Sequence, residues 1–304
     1  MLQEQQPPTT PMEAVPYHLL QRTSRHRWWR PLLGFVLLPV LAGAFALVVA
    51  GALIGLAALN GVEMDDFGFT DPTWEYGAMM LSVAALLPAV LVTARWVHGR
   101  PVGKLSSVDG RLRWRWMWRC AGWALLGYAA VLAFDLARGS TPDLAGWPGW
   151  PHYLLLALIT LAVVPFQAAA EEYLCRGFLL QGFASWLRTP WPGAVLAALL
   201  FVVLHEYDDP LVIADLFVTA MAMSWLTIRT GGLEAAIALH VVNNVSAVLL
   251  DSTQGVPGLE QAGDFSAWQV LPITILTVLY TWWIDRLFRR SGLSRTFRRA
   301  ESAE

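Results

Sequence analysis

Glu171, Glu172, Arg176, His205, His240 and Asn244 are the side chains of this chain best suited to chemistry, because each lies in or at the end of a strongly apolar run. Ionisable groups are costly inside a bilayer, so their presence there points to a functional site. Glu172 and Arg176 stand four residues apart, and on a helix that spacing allows an ion pair. Glu171 is turned about 100° from Glu172 and faces elsewhere. One carboxylate of the pair therefore reads as structural, and the other as free to move protons. His240 and Asn244 share a helix face, and Phe201 stands one turn from His205, an aromatic beneath that histidine. Polar groups in a bilayer must find partners inside the protein, so these side chains are expected to converge on one cavity. Their heights allow it. Glu171 and His205 lie 17 and 15 residues from the turn at Arg188-Thr189-Pro190, a rise of roughly 25 and 22 Å. His240 is nine residues past Gly231, roughly 13 Å, so the first turn must protrude farther than the second.

Other candidates have plainer readings. Cys175 is expected to be a small buried hydrophobe rather than a nucleophile. Asp215 is assigned to the outer interface, near Asp208 and Asp209. Asn243 lies beside Asn244 but points about 100° away from it.

The elements that must hold this site are membrane helices. The chain is 56% hydrophobic and 14% charged over 304 residues, which excludes an ordinary soluble globule and implies an all-α polytopic membrane protein. Runs long enough to span fall at 31–59, 76–97, 120–137, 152–182, 191–206, 210–229, 232–250 and 267–288, about eight transmembrane helices at roughly 20 residues each. Acidic loops (Glu63, Asp65, Asp66, Asp71, Glu75; Glu206, Asp208, Asp209) alternate with basic ones (Arg95 to Arg119; Arg188; Arg229). By the positive-inside rule both termini are cytoplasmic in a multi-pass cell-membrane protein, with Arg138 the one exception among the loops. Residues 1–30 read as a disordered tail ending in a basic, aromatic anchor, not a cleavable signal peptide. The alternation of cations and tryptophans from Arg111 to Arg119 reads as an interface anchor, with no nucleic-acid partner. Gly51 and Gly55 have the small-x-x-x-small spacing of packed membrane helices. Cys120 and Cys175 indicate neither a disulfide framework nor a metal-cysteine site.

Glu171-Glu172-Tyr-Leu-Cys-Arg176, Phe201-Val-Val-Leu-His205 and His240-Val-Val-Asn-Asn244 resemble, in order, the E-E-x-x-x-R, F-x-x-x-H and H-x-x-x-N motifs of the CPBP (Abi) family of intramembrane proteases, which includes the type II CAAX prenyl proteases. The resemblance covers about 155–250. It implies a catalytic core at 151–250, accessory helices at 31–150, an outer loop and last helix at 251–288, and a basic tail at 289–304. The implied activity is hydrolysis of a peptide bond in a membrane-associated, possibly lipidated, protein or peptide. On this resemblance Glu171 is the base that activates water, His205 helps hold that water, and His240 with Asn244 forms the oxyanion pocket; Glu172, Arg176 and Phe201 support them. Family members are often described as metalloproteases, and zinc held by Glu171, His205 and His240 is the competing possibility. Without an H-E-x-x-H sequence, and with Asn244 a poor zinc ligand, a metal-free mechanism is expected. The functional alternative is a non-enzymatic membrane immunity factor or transporter that keeps the polar site.

Overall fold

Long apolar runs satisfy their backbone groups in a bilayer only as helices or closed barrels, and helices dominate this chain. The computed structural model describes residues 12–66, 68–140, 144–257 and 265–300. Asp143, the tail residues 1–11 and 301–304, and the 258–264 part of the acidic loop lie outside the described residues. Strand β1 (Met12–Pro16) leads into α1 (Trp29–Leu59), α2 (Pro72–Ala84), α3 (Leu86–His98) and the one-turn α4 (Gly103–Ser106). Next come α5 (Trp114–Ala137) and α6 (Trp150–Glu172), which continues through a π-helical stretch, Tyr173–Leu179, into α7 (Leu180–Leu187). Helices α8 (Trp191–Val203), α9 (Pro210–Thr230), α10 (Glu234–Asp251) and α11 (Ala267–Arg289) precede strand β2 (Thr296–Ala300). The chain is an all-α, multi-pass membrane protein with a two-stranded clasp.

Among the described residues seven helical segments are long and apolar enough to cross a membrane, counting α2–α3 as one and α6–α7 as one. Large apolar side chains such as Leu47, Leu126, Leu158 and Ile275 point outward, as a lipid-facing surface requires. Helix α8 has 13 residues, about 20 Å, and is shorter than a bilayer core of about 30 Å. Expected from the sequence as a span, it connects the two faces only together with the chain from Leu204 to Asp209. Strand β1 pairs antiparallel with β2, Met12 opposite Ala300, so the first and last described elements lie on one face, as an even number of crossings requires. Near the start of α8, Trp186 donates to the Trp28 carbonyl at 2.7 Å and Arg22 to the Ser185 carbonyl at 2.6 Å. Beyond its end, Asp209 accepts the Phe265 N–H at 3.1 Å, on the opposite face.

Local chemistry sets the helix ends. Asp71 and Asp209 cap α2 and α9 through N–H bonds from the first turn, each followed by Pro at the first helical position. Ser266 and Gln269 form a reciprocal capping box on α11. Gly99 and Gly231 end α3 and α9 at φ 60° and 69°, left-handed positions that glycine adopts without a Cβ clash.

Three expectations are corrected. The N-terminal tail is ordered from residue 12: Val15, Tyr17 and Leu20 are buried, and the Tyr17 hydroxyl donates to the Leu105 carbonyl. Arg113 is no surface anchor. It grips Glu234 with two side-chain N–H bonds of 2.8 and 2.7 Å, both residues buried, and so joins the starts of α5 and α10. Trp114 and Trp118 keep the anchoring role, both exposed on one helix face. Gly51 and Gly55 face outward, with no atom of the described residues within 4 Å of where a side chain would stand, so they pack against no described helix.

Candidate active site

The site is assembled where the α6 end, the π-helical stretch, α8, α9 and α10 meet. The π turn begins directly after Glu172, and such single-turn widenings are frequent at functional sites. Glu172 and Arg176 are both fully buried and pair at 2.8 Å, as their spacing predicts. Arg176 also donates to the Ala220 carbonyl of α9 at 3.1 Å, and its guanidinium lies 4.9 Å over the Phe201 ring. A buried charge survives only with such partners.

Glu172 does more than hold the arginine. The same oxygen, Oε1, lies 2.8 Å from His240 Nδ1. A carboxylate accepts, so Nδ1 carries the proton and the ring is turned with Nε2 toward Glu171 Oε2, 3.4 Å away. The neighbouring carboxylates therefore take the two ends of one imidazole. Glu171 Oε2 is shielded from solvent and makes no hydrogen bond, whereas Oε1 is held by Gln167 Nε2 at 2.5 Å.

Gln167 belongs to a chain of hydrogen bonds. Tyr128 donates to Asn243 Oδ1; Asn243 Nδ2 donates to Asn244 Oδ1 at 2.9 Å; Asn244 Nδ2 donates to Gln167 Oε1 at 3.1 Å. Every amide in the series points its N–H toward Glu171, and aligned bonds of this kind polarise one another. Asn243, expected to face away, is thus a working part of the array. Gln167 stands one helical turn before Glu171, a spacing readable from sequence. Tyr128 on α5 has no signal in the sequence near the motifs.

His205 lines the same cavity as Glu171 and His240. Its Nδ1 lies 2.7 Å from the Phe201 carbonyl and must donate to it, which leaves Nε2 as an acceptor. The Phe201 ring packs against both imidazoles, at centroid distances of 4.3 Å to His205 and 5.7 Å to His240. All seven side chains singled out from the sequence are therefore gathered around one cavity of about 1080 Å³ or directly behind it. Cys175 is buried and free. Asp215 also lines the cavity and accepts the Thr274 hydroxyl at 2.5 Å.

Among the described residues no three His, Cys, Asp or Glu side chains are grouped to hold a metal ion.

Residues 150–246 match a family model described as type II CAAX prenyl endopeptidase Rce1-like. The uncharacterized protein YyaK of Bacillus subtilis is 25% identical over 190 residues, 60% of this chain and 63% of that protein, so the match spans less than two thirds of its length. An uncharacterized 24.3 kDa protein of Escherichia coli is 32% identical over 170 residues, 51% of this chain and 71% of its own. No solved structure matches. With the motifs in order, their side chains around one cavity and the Rce1-like match across α6 to α10, the chain belongs to the CPBP family.

Proposed function

We propose that this chain hydrolyses a peptide bond of a membrane-associated protein or peptide within the membrane, using water activated by Glu171 and no metal. The observation that carries the reading is the free oxygen of Glu171, sheltered beside a large cavity and 3.4 Å from His240, while its other oxygen is held by Gln167. A water between Glu171 Oε2 and His205 Nε2 gives a proton to the carboxylate as its oxygen bonds to the scissile carbonyl carbon. His240, with Nδ1–H fixed on Glu172, turns Nε2 toward the developing oxyanion and stabilises it when that nitrogen carries a proton, and the second N–H of Asn244 assists. Glu171 then passes its proton to the departing amine as the C–N bond breaks. The basic face carrying both termini is the cytoplasmic one, because Lys and Arg are retained on that side.

The test compares membrane-protein termini in cells carrying the wild type and Glu171→Ala. New termini that vanish in the variant, and that persist when purified wild type is held in a strong zinc chelator, are expected. Identical termini in both strains would leave the site a binding pocket only, and activity lost on chelation and restored by zinc would overturn the metal-free mechanism.

A further inference from the structure

The cavity has a direction. Its inner end is Glu171 and His240; its outer end includes the loop Glu206–Asp208 with Asp251 and Pro257. Those outer residues follow α8 and end α10, on the face opposite β1 and β2. None of the segments on the terminal face (12–28, 99–113, 188–190, 231–233, 290–300) lines it. The site is therefore reached from the face away from the termini.

Charge divides along the same axis. Of the 21 Lys and Arg residues, all but Arg138 and Arg176 lie on the terminal face or within about a turn and a half of it. The opposite face carries Glu63, Asp65, Asp66, Asp71, Glu75, Glu206, Asp208, Asp209 and Asp251. Among the described residues the cavity is lined by five carboxylates, Glu171, Glu206, Asp208, Asp215 and Asp251, and by no Lys or Arg. Asp215 sits part-way in, its second oxygen available beyond the Thr274 bond. Between the carboxylates the wall is apolar, with Met80 from α2 and Ile273 from α11. A cleft lined by one sign of charge with low-dielectric walls concentrates ligands of the opposite sign.

We infer that the substrate is a cationic, membrane-seated peptide segment that enters from the face opposite the termini. Its basic side chain rests against Asp215 and the rim of Glu206, Asp208 and Asp251, and its apolar residues lie along Met80 and Ile273. This deepens the protease reading and rests on it for the word substrate. With the basic face cytoplasmic, the peptide is presented from the non-cytoplasmic side. The carboxylate-lined path rejects an anionic segment.

The test separates binding from cleavage. Full-length Glu171→Gln protein in neutral-lipid proteoliposomes is titrated with fluorescent single-span Leu/Ala peptides flanked by Lys-Lys or by Glu-Glu. The Lys-flanked peptide is expected to bind about tenfold or more tightly, with the preference shrinking at high salt. Asp215→Asn, and separately the triple change Glu206→Gln, Asp208→Asn and Asp251→Asn, should each reduce that ratio; the amides keep the shape, and folding is checked by thermal unfolding. Equal binding of the two peptides, or a preference unchanged in both variants, overturns the inference. The same peptides are then incubated with wild type and weighed. Preferential binding without cleavage removes support from the protease reading while the cation preference stands; cleavage indifferent to flanking charge does the reverse.

Discussion

Glu171 and Glu172 are adjacent, of one residue type, and in different surroundings. Glu172 has no exposed surface and is bound by Arg176 and His240; Glu171 is the more exposed of the two, borders the cavity and keeps one oxygen free. Their neutral variants should separate accordingly. Glu171→Gln removes the proton acceptor and leaves the packing in place, so activity should fall to background with unfolding unchanged. Glu172→Gln leaves the Arg176 charge without its counterion and loosens the imidazole of His240. Breaking one partner of a buried pair costs about 3–5 kcal/mol. Thermal unfolding in detergent, alongside peptide cleavage, reads both effects. A stable, inactive Glu172→Gln protein beside an active Glu171→Gln protein would show the roles reversed.

At the scale of elements, the Asp209 carboxylate joins two helices. It caps α9 through Leu211 and Val212 N–H and accepts the Phe265 N–H that precedes α11. These bonds, that from Phe265 foremost, hold its pKa below the usual carboxylate value. A lowered folded-state pKa means that the stabilisation is complete above the unfolded-state value and fades as pH falls through the folded one. The stability difference between wild type and Asp209→Ala should therefore be constant near neutrality and close in acid. A difference that stays constant through the acid range would show that the charge of Asp209 is not what stabilises the cap. The cap was legible, as Asp followed by Pro ahead of an apolar run. So were seven of the spans, which apolar length alone picks out; the course of α8 is not decided by length. What was not legible depends on partners distant in sequence. Strand β1 has its partner at the other end of the chain, and Arg113 was ranked with the tryptophans around it because Glu234 lies 121 residues on. The helix break at Ala85 and the π turn after Glu172 leave no mark in hydropathy, since the runs around them stay apolar. The motif residues were legible; the amide series reaching Tyr128 was not, because Tyr128 enters from another helix.

Across the whole molecule, the β1–β2 clasp and the charge division make one statement about topology, and it can be tested without any substrate. The pairing sets Ala14 opposite Arg298 and Val15 opposite Phe297. Facing residues of an antiparallel pair come within about 4.5–5.5 Å at their Cα atoms, close enough for a disulfide in the narrower pairs. Ala14→Cys with Arg298→Cys, or Val15→Cys with Phe297→Cys, in a background with Cys120 and Cys175 replaced, should give an intramolecular crosslink on mild oxidation. Labelling with an impermeant thiol reagent in intact cells then orients the clasp. Cysteines at Asp66 and Gly255, at the ends of passages leading away from the clasp, should react from outside, and a cysteine at Asp109, exposed on the clasp face, should not. A crosslink together with reactive Asp109→Cys would invert the protein and turn the cavity toward the cytoplasm, where a cytosolic lipidated substrate could reach it. A missing crosslink in both pairs, with Asp66 and Gly255 on different sides, would break the even count of crossings and with it the passage assigned to α8. The expected pattern places the acidic mouth outside, so that access to Glu171 is decided by the same charges that orient the chain.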